Sequence, residues 1–167
     1  MGRTGRLAKL LAGLGAMVVV LAACSGAESA EGPPVPDLEF ETFEGELTSL
    51  PEFQGEPVVV NFWASWCAPC IAEMPDFETV HQALQGQVRF LGLNTQDDRA
   101  SADELVERTG VTYDLALDPD GELLRAFGVV AMPTTYFVSA DGRIVHRHSG
   151  LATEQQLREL IDEHLEP

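Results

Sequence analysis

The chain has 167 residues, 45% of them hydrophobic, and a formal net charge of −17 at pH 7. This length allows one domain with its own hydrophobic core. The acidic surplus argues against nucleic acid as a partner and against direct binding to anionic lipid headgroups. Solubility accounts for it better than recruitment of a cationic partner does, because no acidic block is long enough to form an interaction tail.

The N-terminus has the layout of a secretory signal. Three basic residues precede an apolar stretch over residues 10–23, which is shorter than the roughly 18 residues of a membrane span. Its end, Leu-Ala-Ala-Cys24, resembles the lipobox of bacterial lipoproteins. That resemblance implies a signal peptide over residues 1–23 and a lipidated Cys24, and an uncleaved signal anchor is the alternative. Either route places the domain outside the cytoplasm, tethered to a membrane.

The segment that follows is small, polar and rich in proline. Residues 24–36 are therefore predicted to be the lipidated cysteine and a flexible tether, ahead of one domain over residues 37–167. Alternation of apolar and polar residues over 38–43 predicts a half-buried strand. A turn at Gly45 would let residues 46–48 pair back as a hairpin.

A predicted buried strand and a predicted helix flank two cysteines. Residues 57–63 form a β-branched, apolar run, and apolar residues then recur at helical spacing until Gly86. Cys67 and Cys70 therefore lie at a strand-to-helix junction, where the positive end of the helix favours a thiolate on Cys67. A C-x-x-C pair beside a β-α-β pattern predicts a redox site. A structural zinc would need about two more ligands at similar spacing, and Cys24 is the only other cysteine.

The second half of the chain alternates predicted strands and helices. They are a strand over 88–94, a helix from a capping box at Ser101 and Glu104 to Gly110, a strand over 113–117, a short helix over 122–127, hairpin strands over 134–138 and 143–147, and a last helix capped by Thr153 and Gln156. Together they predict one α/β domain, with a central mixed sheet flanked by helices on both faces and an antiparallel edge.

From residue 38 to the C-terminus, the chain resembles the thioredoxin-like family, and within it the extracytoplasmic TlpA/ResA branch. The motifs that carry the resemblance are NFWASWCAPC at 61–70, Glu-Met-Pro at 73–75 and Met-Pro-Thr-Thr at 132–135. The N-terminal β-hairpin and the helix-strand insert over 101–117 are also similar to that branch. The resemblance implies a thioredoxin-like fold and a thiol-disulfide oxidoreductase without a cofactor. Many members are membrane-anchored reductants that serve cytochrome c maturation.

Three side chains near the helix start are predicted to carry the reaction. Cys67, closer to solvent, would attack a partner disulfide, and Cys70, one turn further in, would resolve the mixed disulfide. Resolution needs a base. Thioredoxin has a buried aspartate where this chain has Asn61, which cannot titrate. Glu73, one turn after Cys70, is the predicted substitute; the resemblance points the same way, and an ordinary solvated helix residue is the alternative.

Pro133 is the remaining predicted site residue. Only about 5% of X-Pro bonds in folded proteins are cis, so the sequence by itself favours a trans bond. The resemblance implies instead a cis proline that lies against the disulfide and shapes a substrate groove. Trp66, Met132 and Thr134 would belong to this groove. Pro75 lies inside the helix pattern and is predicted to kink the helix.

Other functions fit the sequence less well. His146 and His148 alternate on a predicted strand and could bind copper, as in Sco-type proteins, but those proteins use C-x-x-x-C, and exposed strand histidines are common. A peroxiredoxin has a threonine three positions before its reactive cysteine, where this chain has Ala64. No metal site is therefore predicted.

Ala68 and Pro69, which separate the two cysteines, help to set the direction of electron flow. A proline before the second cysteine is similar to the reducing members, which favours a reductase that exchanges electrons with protein disulfides and draws them from a membrane thiol carrier. Oxidation of newly secreted proteins is the alternative, because 30 mV in such a couple corresponds to only about 1.4 kcal/mol.

Overall fold

The computed structural model describes residues 31–165. The strands are β1 Glu39–Thr42, β2 Leu47–Ser49, β3 Val58–Trp63, β4 Arg89–Thr95, β5 Asp114–Asp118, β6 Thr134–Val138 and β7 Ile144–Ser149. The helices are α1 Ala68–Ala83, α2 Arg99–Thr109, α3 Glu122–Ala126 and α4 Glu154–His164, and a short 3-10 helix, Leu50–Phe53, follows β2. The predicted signal peptide, Cys24 and the first part of the tether lie outside the described residues. Within these residues, no helix is long and apolar enough to cross a membrane.

The strands form one mixed sheet in the order β2-β1-β5-β4-β3-β6-β7. The three central strands β5, β4 and β3 run parallel, whereas β1, β2, β6 and β7 join them through antiparallel pairs. All six residues of β3 are buried, as expected for a β-branched run in a strand covered on both faces. This arrangement confirms the predicted thioredoxin-like α/β fold with its N-terminal hairpin and its helix-strand insert.

Helices cover both faces of the sheet, and successive residues of β3 supply both cores because strand side chains alternate. Trp63 packs on the face covered by α1, α2 and α4, together with Phe77 of α1 and Ile161 of α4. Phe62 packs on the other face, beside Phe127 after α3. Phe62 and Trp63 are therefore core residues on opposite faces of the sheet.

The helix caps agree with the sequence in two cases and correct it in one. At α4, Thr153 and Gln156 form the predicted capping box. At α2, the predicted start at Ser101 is wrong. The N-cap is Asp98, whose carboxylate accepts hydrogen bonds from both the N–H and the hydroxyl of Ser101. Gly110 ends α2 in the left-handed conformation, as predicted.

The chain enters the domain beside the turn between β6 and β7. Val35 N–H donates to the Gly142 carbonyl at 3.0 Å, and Ile144 N–H donates to the Pro33 carbonyl at 2.9 Å. Residues 33–35 belong to the predicted tether, yet these bonds hold them on the folded domain. The turn follows the last residue of β6, whereas Pro133 immediately precedes its first. The entry point and Pro133 therefore lie at opposite ends of this strand.

Candidate active site

The two cysteines lie where β3 gives way to α1. The connecting loop turns at Ala64, whose carbonyl accepts a hydrogen bond from Cys67 N–H at 3.1 Å. Cys67 is the N-cap of α1, and its sulfur accepts from Cys70 N–H at 3.3 Å. Pro69 fits the first helical turn because it lacks an N–H that would otherwise be unpaired there. The loop thus places one sulfur at the positive end of the helix.

Cys67 and Cys70 are joined by a disulfide, with an S–S distance of 1.97 Å and a Cα–Cα distance of 5.3 Å. Their exposure differs in the direction that the sequence predicts. Cys67 retains 5% of its surface, and Cys70 retains none. A partner sulfur can therefore approach Cys67, whereas Cys70 is reached only through Cys67 or after a rearrangement.

Glu73, one helical turn after Cys70, is buried, with only 1% of its surface exposed. Its two carboxylate oxygens accept hydrogen bonds from Asn61 Nδ2 and from Ala152 N–H, each at 2.9 Å. Burial raises the pKa of Glu73 to about 7, although the hydrogen bonds from Ala152 and Asn61 act in the opposite direction, and the nearby charge of Asp76 adds to the rise. The environment is not that of a solvated helix residue, and the carboxyl can exchange a proton near neutral pH.

Asn61 ties this carboxyl to the sheet. Besides Glu73, its Nδ2 donates to Thr135 Oγ1 at 3.2 Å, so one amide joins β3, α1 and β6. The sequence identifies Asn61 only as a residue that cannot titrate and gives no sign of this contact. Ala152 contributes through its backbone, for which no side-chain pattern exists.

The Met132–Pro133 peptide bond is cis, as the family resemblance implies. Pro133 precedes β6, the antiparallel neighbour of β3, so it lies at the end of the sheet where the disulfide lies. Its carbonyl accepts a hydrogen bond from Gly150 N–H at 2.9 Å. The loop after β7 therefore contacts both the proline segment, through Gly150, and Glu73, through Ala152.

A groove of about 480 Å³ opens beside Cys67. Uncharged residues line it: Trp66, Cys67, Ala68, Pro69, Gln96, Leu124, Val129, Val130, Ala131 and Met132. Trp66 is 61% exposed and Val130 is 89% exposed, which is unusual for large apolar side chains. Thr134 is fully buried instead, and its hydroxyl donates to the Ala131 carbonyl at 2.7 Å. Of the predicted groove residues, Trp66 and Met132 thus line the groove, and Thr134 supports its wall from behind.

The two histidines of β7 have separate contacts. His146 stacks on His164 of α4 with ring centroids 3.9 Å apart, and His148 contacts the carbonyl of Leu151 at 3.4 Å. Over residues 31–165, no group of three or more His, Cys, Asp or Glu side chains could hold a metal ion. His146 thus packs against another aromatic ring, and His148 contacts a backbone carbonyl.

The proteins that this chain is similar to agree with the redox site that the geometry indicates. The model of the AhpC/TSA family matches residues 32–147. The thiol-disulfide oxidoreductase ResA of Geobacillus thermodenitrificans is 30% identical over 161 residues, which cover 96% of this chain and 92% of the relative.

Solved structures extend the likeness to three dimensions. A DsbF homologue from Corynebacterium diphtheriae is 30% identical with a TM-score of 0.69, covering 78% of this chain and 85% of the other. A secreted thiol-disulfide isomerase from Corynebacterium glutamicum is 27% identical with a TM-score of 0.68, covering 77% and 81%. The chain belongs to the AhpC/TSA family, has the thioredoxin-like fold and is a thiol-disulfide oxidoreductase.

Proposed function

We propose that the protein is a membrane-anchored, extracytoplasmic reductase of protein disulfides that works through Cys67 and Cys70. The observation that carries the proposal is the disulfide at the N-terminus of α1, with its outer sulfur beside an uncharged groove and the Glu73 carboxyl buried one turn behind it. Cytochrome c maturation is one process that supplies such clients, as the resemblance to the TlpA/ResA branch implies.

The reaction begins from the dithiol form. The Cys67 thiolate attacks one sulfur of a client disulfide, the S–S bond of the client breaks, and the departing client thiolate takes up a proton. Cys70 then loses its proton and attacks the Cys67 sulfur of the mixed disulfide, which releases the second client thiol. Two electrons have passed to the client, and the Cys67–Cys70 disulfide remains. Glu73, with a pKa of about 7, takes the Cys70 proton in this scheme.

Location and electron supply complete the proposal. The predicted signal peptide and the lipidation of Cys24 would hold the domain at the outer face of a membrane. The likeness to a secreted isomerase supports an extracytoplasmic site. A membrane thiol carrier would return the pair to the dithiol form. The alternative is donation of the disulfide to newly secreted proteins.

Two measurements test the proposal. In the variant Cys70→Ser, the mixed disulfide cannot be resolved, so covalent client complexes should accumulate on non-reducing gels, whereas the matched variant Cys67→Ser should form none. Trapping by Cys67→Ser alone would reverse the assigned order. Redox titration against glutathione then gives the direction: a midpoint well below that of glutathione supports reduction of clients, and one well above it supports disulfide donation.

A further inference from the structure

The turn between β4 and α2 holds the loop that carries the active site. Both oxygens of Asp97 accept hydrogen bonds from Ser65, one from the backbone N–H and one from the hydroxyl at 2.7 Å. Asn94 Nδ2 and Asp98 N–H donate to the same carboxylate at 2.8 and 2.9 Å. Burial opposes the ionisation of Asp97, but the hydrogen bonds from Asn94 and Ser65 outweigh it and lower its pKa. The group is thus an anion with four donors around it.

The neighbouring residue holds the next position of the same loop. Gln96 has a φ of 50°, the left-handed region that side chains other than glycine seldom adopt. Its N–H donates to the Asp118 carbonyl, and its own carbonyl accepts from Trp66 Nε1, both at 3.1 Å. Two consecutive residues of the turn therefore fix two consecutive residues of the loop, directly before Cys67.

We propose that Asp97 is a positioning residue of the thiol-disulfide reaction: by holding Ser65, it keeps the Cys67 sulfur at the N-terminus of α1 when the disulfide is open. In the disulfide form, the covalent bond to Cys70 fixes this sulfur in any case. In the dithiol form that constraint is gone, and the hydrogen bonds of the loop remain. Asp97 should therefore stabilise the reduced form selectively, through geometry that favours the Cys67 thiolate. The inference rests on Cys67 as the attacking thiol.

The test measures alkylation of reduced full-length protein by iodoacetamide as a function of pH, with the modified cysteine identified by peptide mass analysis. Ser65→Ala removes one hydrogen bond and no charge. It should raise the midpoint of the Cys67 profile, so that the rate below the midpoint falls on the order of threefold. Asp97→Ala should act in the same direction. Asp98→Ala is the matched control, because it removes an equal charge and weakens the same turn but does not contact Ser65.

Loss of a negative charge by itself should lower the midpoint, so the control and the Asp97 variant are expected to differ in sign. In the double variant of Ser65→Ala and Asp97→Ala, the substitution at Ser65 should shift the midpoint less than it does alone, because both substitutions remove the same hydrogen bond. Equal midpoints for Asp97→Ala and Asp98→Ala, or a wild-type midpoint for Ser65→Ala, would overturn the inference and leave the proposed function standing. First modification at Cys70 would instead overturn the assignment of Cys67 as the attacking thiol, on which both this inference and the proposed scheme rest. Thermal unfolding of the disulfide forms verifies that each variant is folded.

Discussion

The chemistry of Glu73 depends on where its carboxyl is held. A glutamate three residues after a cysteine is common on helix surfaces, and its spacing indicates only that it shares a helix face with Cys70. The structure adds full burial and two donors from distant segments, Asn61 and Ala152. Because those donors stabilise the anion while burial disfavours it, the pKa settles near neutrality instead of far above it.

This balance predicts a pH dependence of stability. Burial raises the pKa of Glu73 from 4.5 to about 7, so the folded state binds the proton more tightly than the unfolded state does. The resulting stabilisation is complete below pH 4.5 and is lost as the pH rises to 7, by about 3 kcal/mol. Glu73→Gln should remove this slope, as measured by urea unfolding at a series of pH values.

Glu78 gives the matched control on the same helix. It lies near the surface, and its pKa is lowered because hydrogen bonds from Thr112 and Gln82 outweigh the effect of burial. Its contribution therefore has the opposite sign and is lost as the pH falls. Glu78→Gln should leave the decline between pH 4.5 and 7 intact, and a Glu73→Gln protein with the wild-type slope would contradict the assigned pKa.

Single residues were predictable from sequence where their role is local. The cysteine pair follows from its spacing at a strand-to-helix junction, and Glu73 follows from its distance to that pair. Asp97 was not predictable, because its contact with Ser65 joins residues 32 positions apart. Thr134 was predicted in the groove from its motif position next to Pro133, but it is buried. A motif position does not reveal in which direction a side chain points.

The elements themselves were largely predictable, and their ends less so. The predicted strand over 134–138 has the same bounds as β6. The hairpin turn that follows it contains an Asp-Gly pair, which is a strong sequence signal for the end of a strand. The start of α2 was missed because Asp98 and Ser101 both fit the N-cap pattern three residues apart. Local sequence could not decide between them; the backbone conformation of Asp98 does.

The capping box of α4 makes a testable prediction. Thr153 Oγ1 accepts from Gln156 N–H, and the Gln156 side chain accepts in return from Thr153 N–H. Thr153→Ala should lower the free energy of unfolding by about 1 kcal/mol, because an N–H at the helix start loses its partner. Thr153→Ser keeps the hydroxyl and should stay close to wild type in urea unfolding. Equal losses in both variants would point to packing of the threonine methyl group instead of the cap.

The whole-molecule arrangement was predictable only as a class. Alternating strands and helices predict a mixed sheet, and the family resemblance narrows it to a thioredoxin-like fold. The strand order is set by pairs far apart in the chain, such as β1 with β5, and no local pattern encodes them. The docking of residues 33–35 on the turn after β6 is of the same kind.

The proposed anchoring can be combined with this docking in one prediction. Because the chain enters at the opposite end of β6 from Pro133, a lipid at Cys24 would leave the disulfide facing the aqueous phase. Reduced Cys67 should then react with a bulky maleimide equally fast in vesicle-bound lipidated protein and in a Cys24→Ser protein free in solution. Strong protection on vesicles would contradict this orientation.

In this proposed orientation, clients in the aqueous phase and a reductant in the bilayer would not have equal access to Cys67. Clients in the aqueous phase would meet the Cys67 sulfur directly. A reductant embedded in the bilayer would instead face the opposite end of the domain, where the chain enters. Fully extended, the eight positions 25–32 would span at most about 28 Å. Reduction of the Cys67–Cys70 disulfide would then require the domain to reorient on the segment that follows Cys24. The length of this segment, more than the thiol-disulfide exchange itself, would set how often the pair returns to the dithiol form.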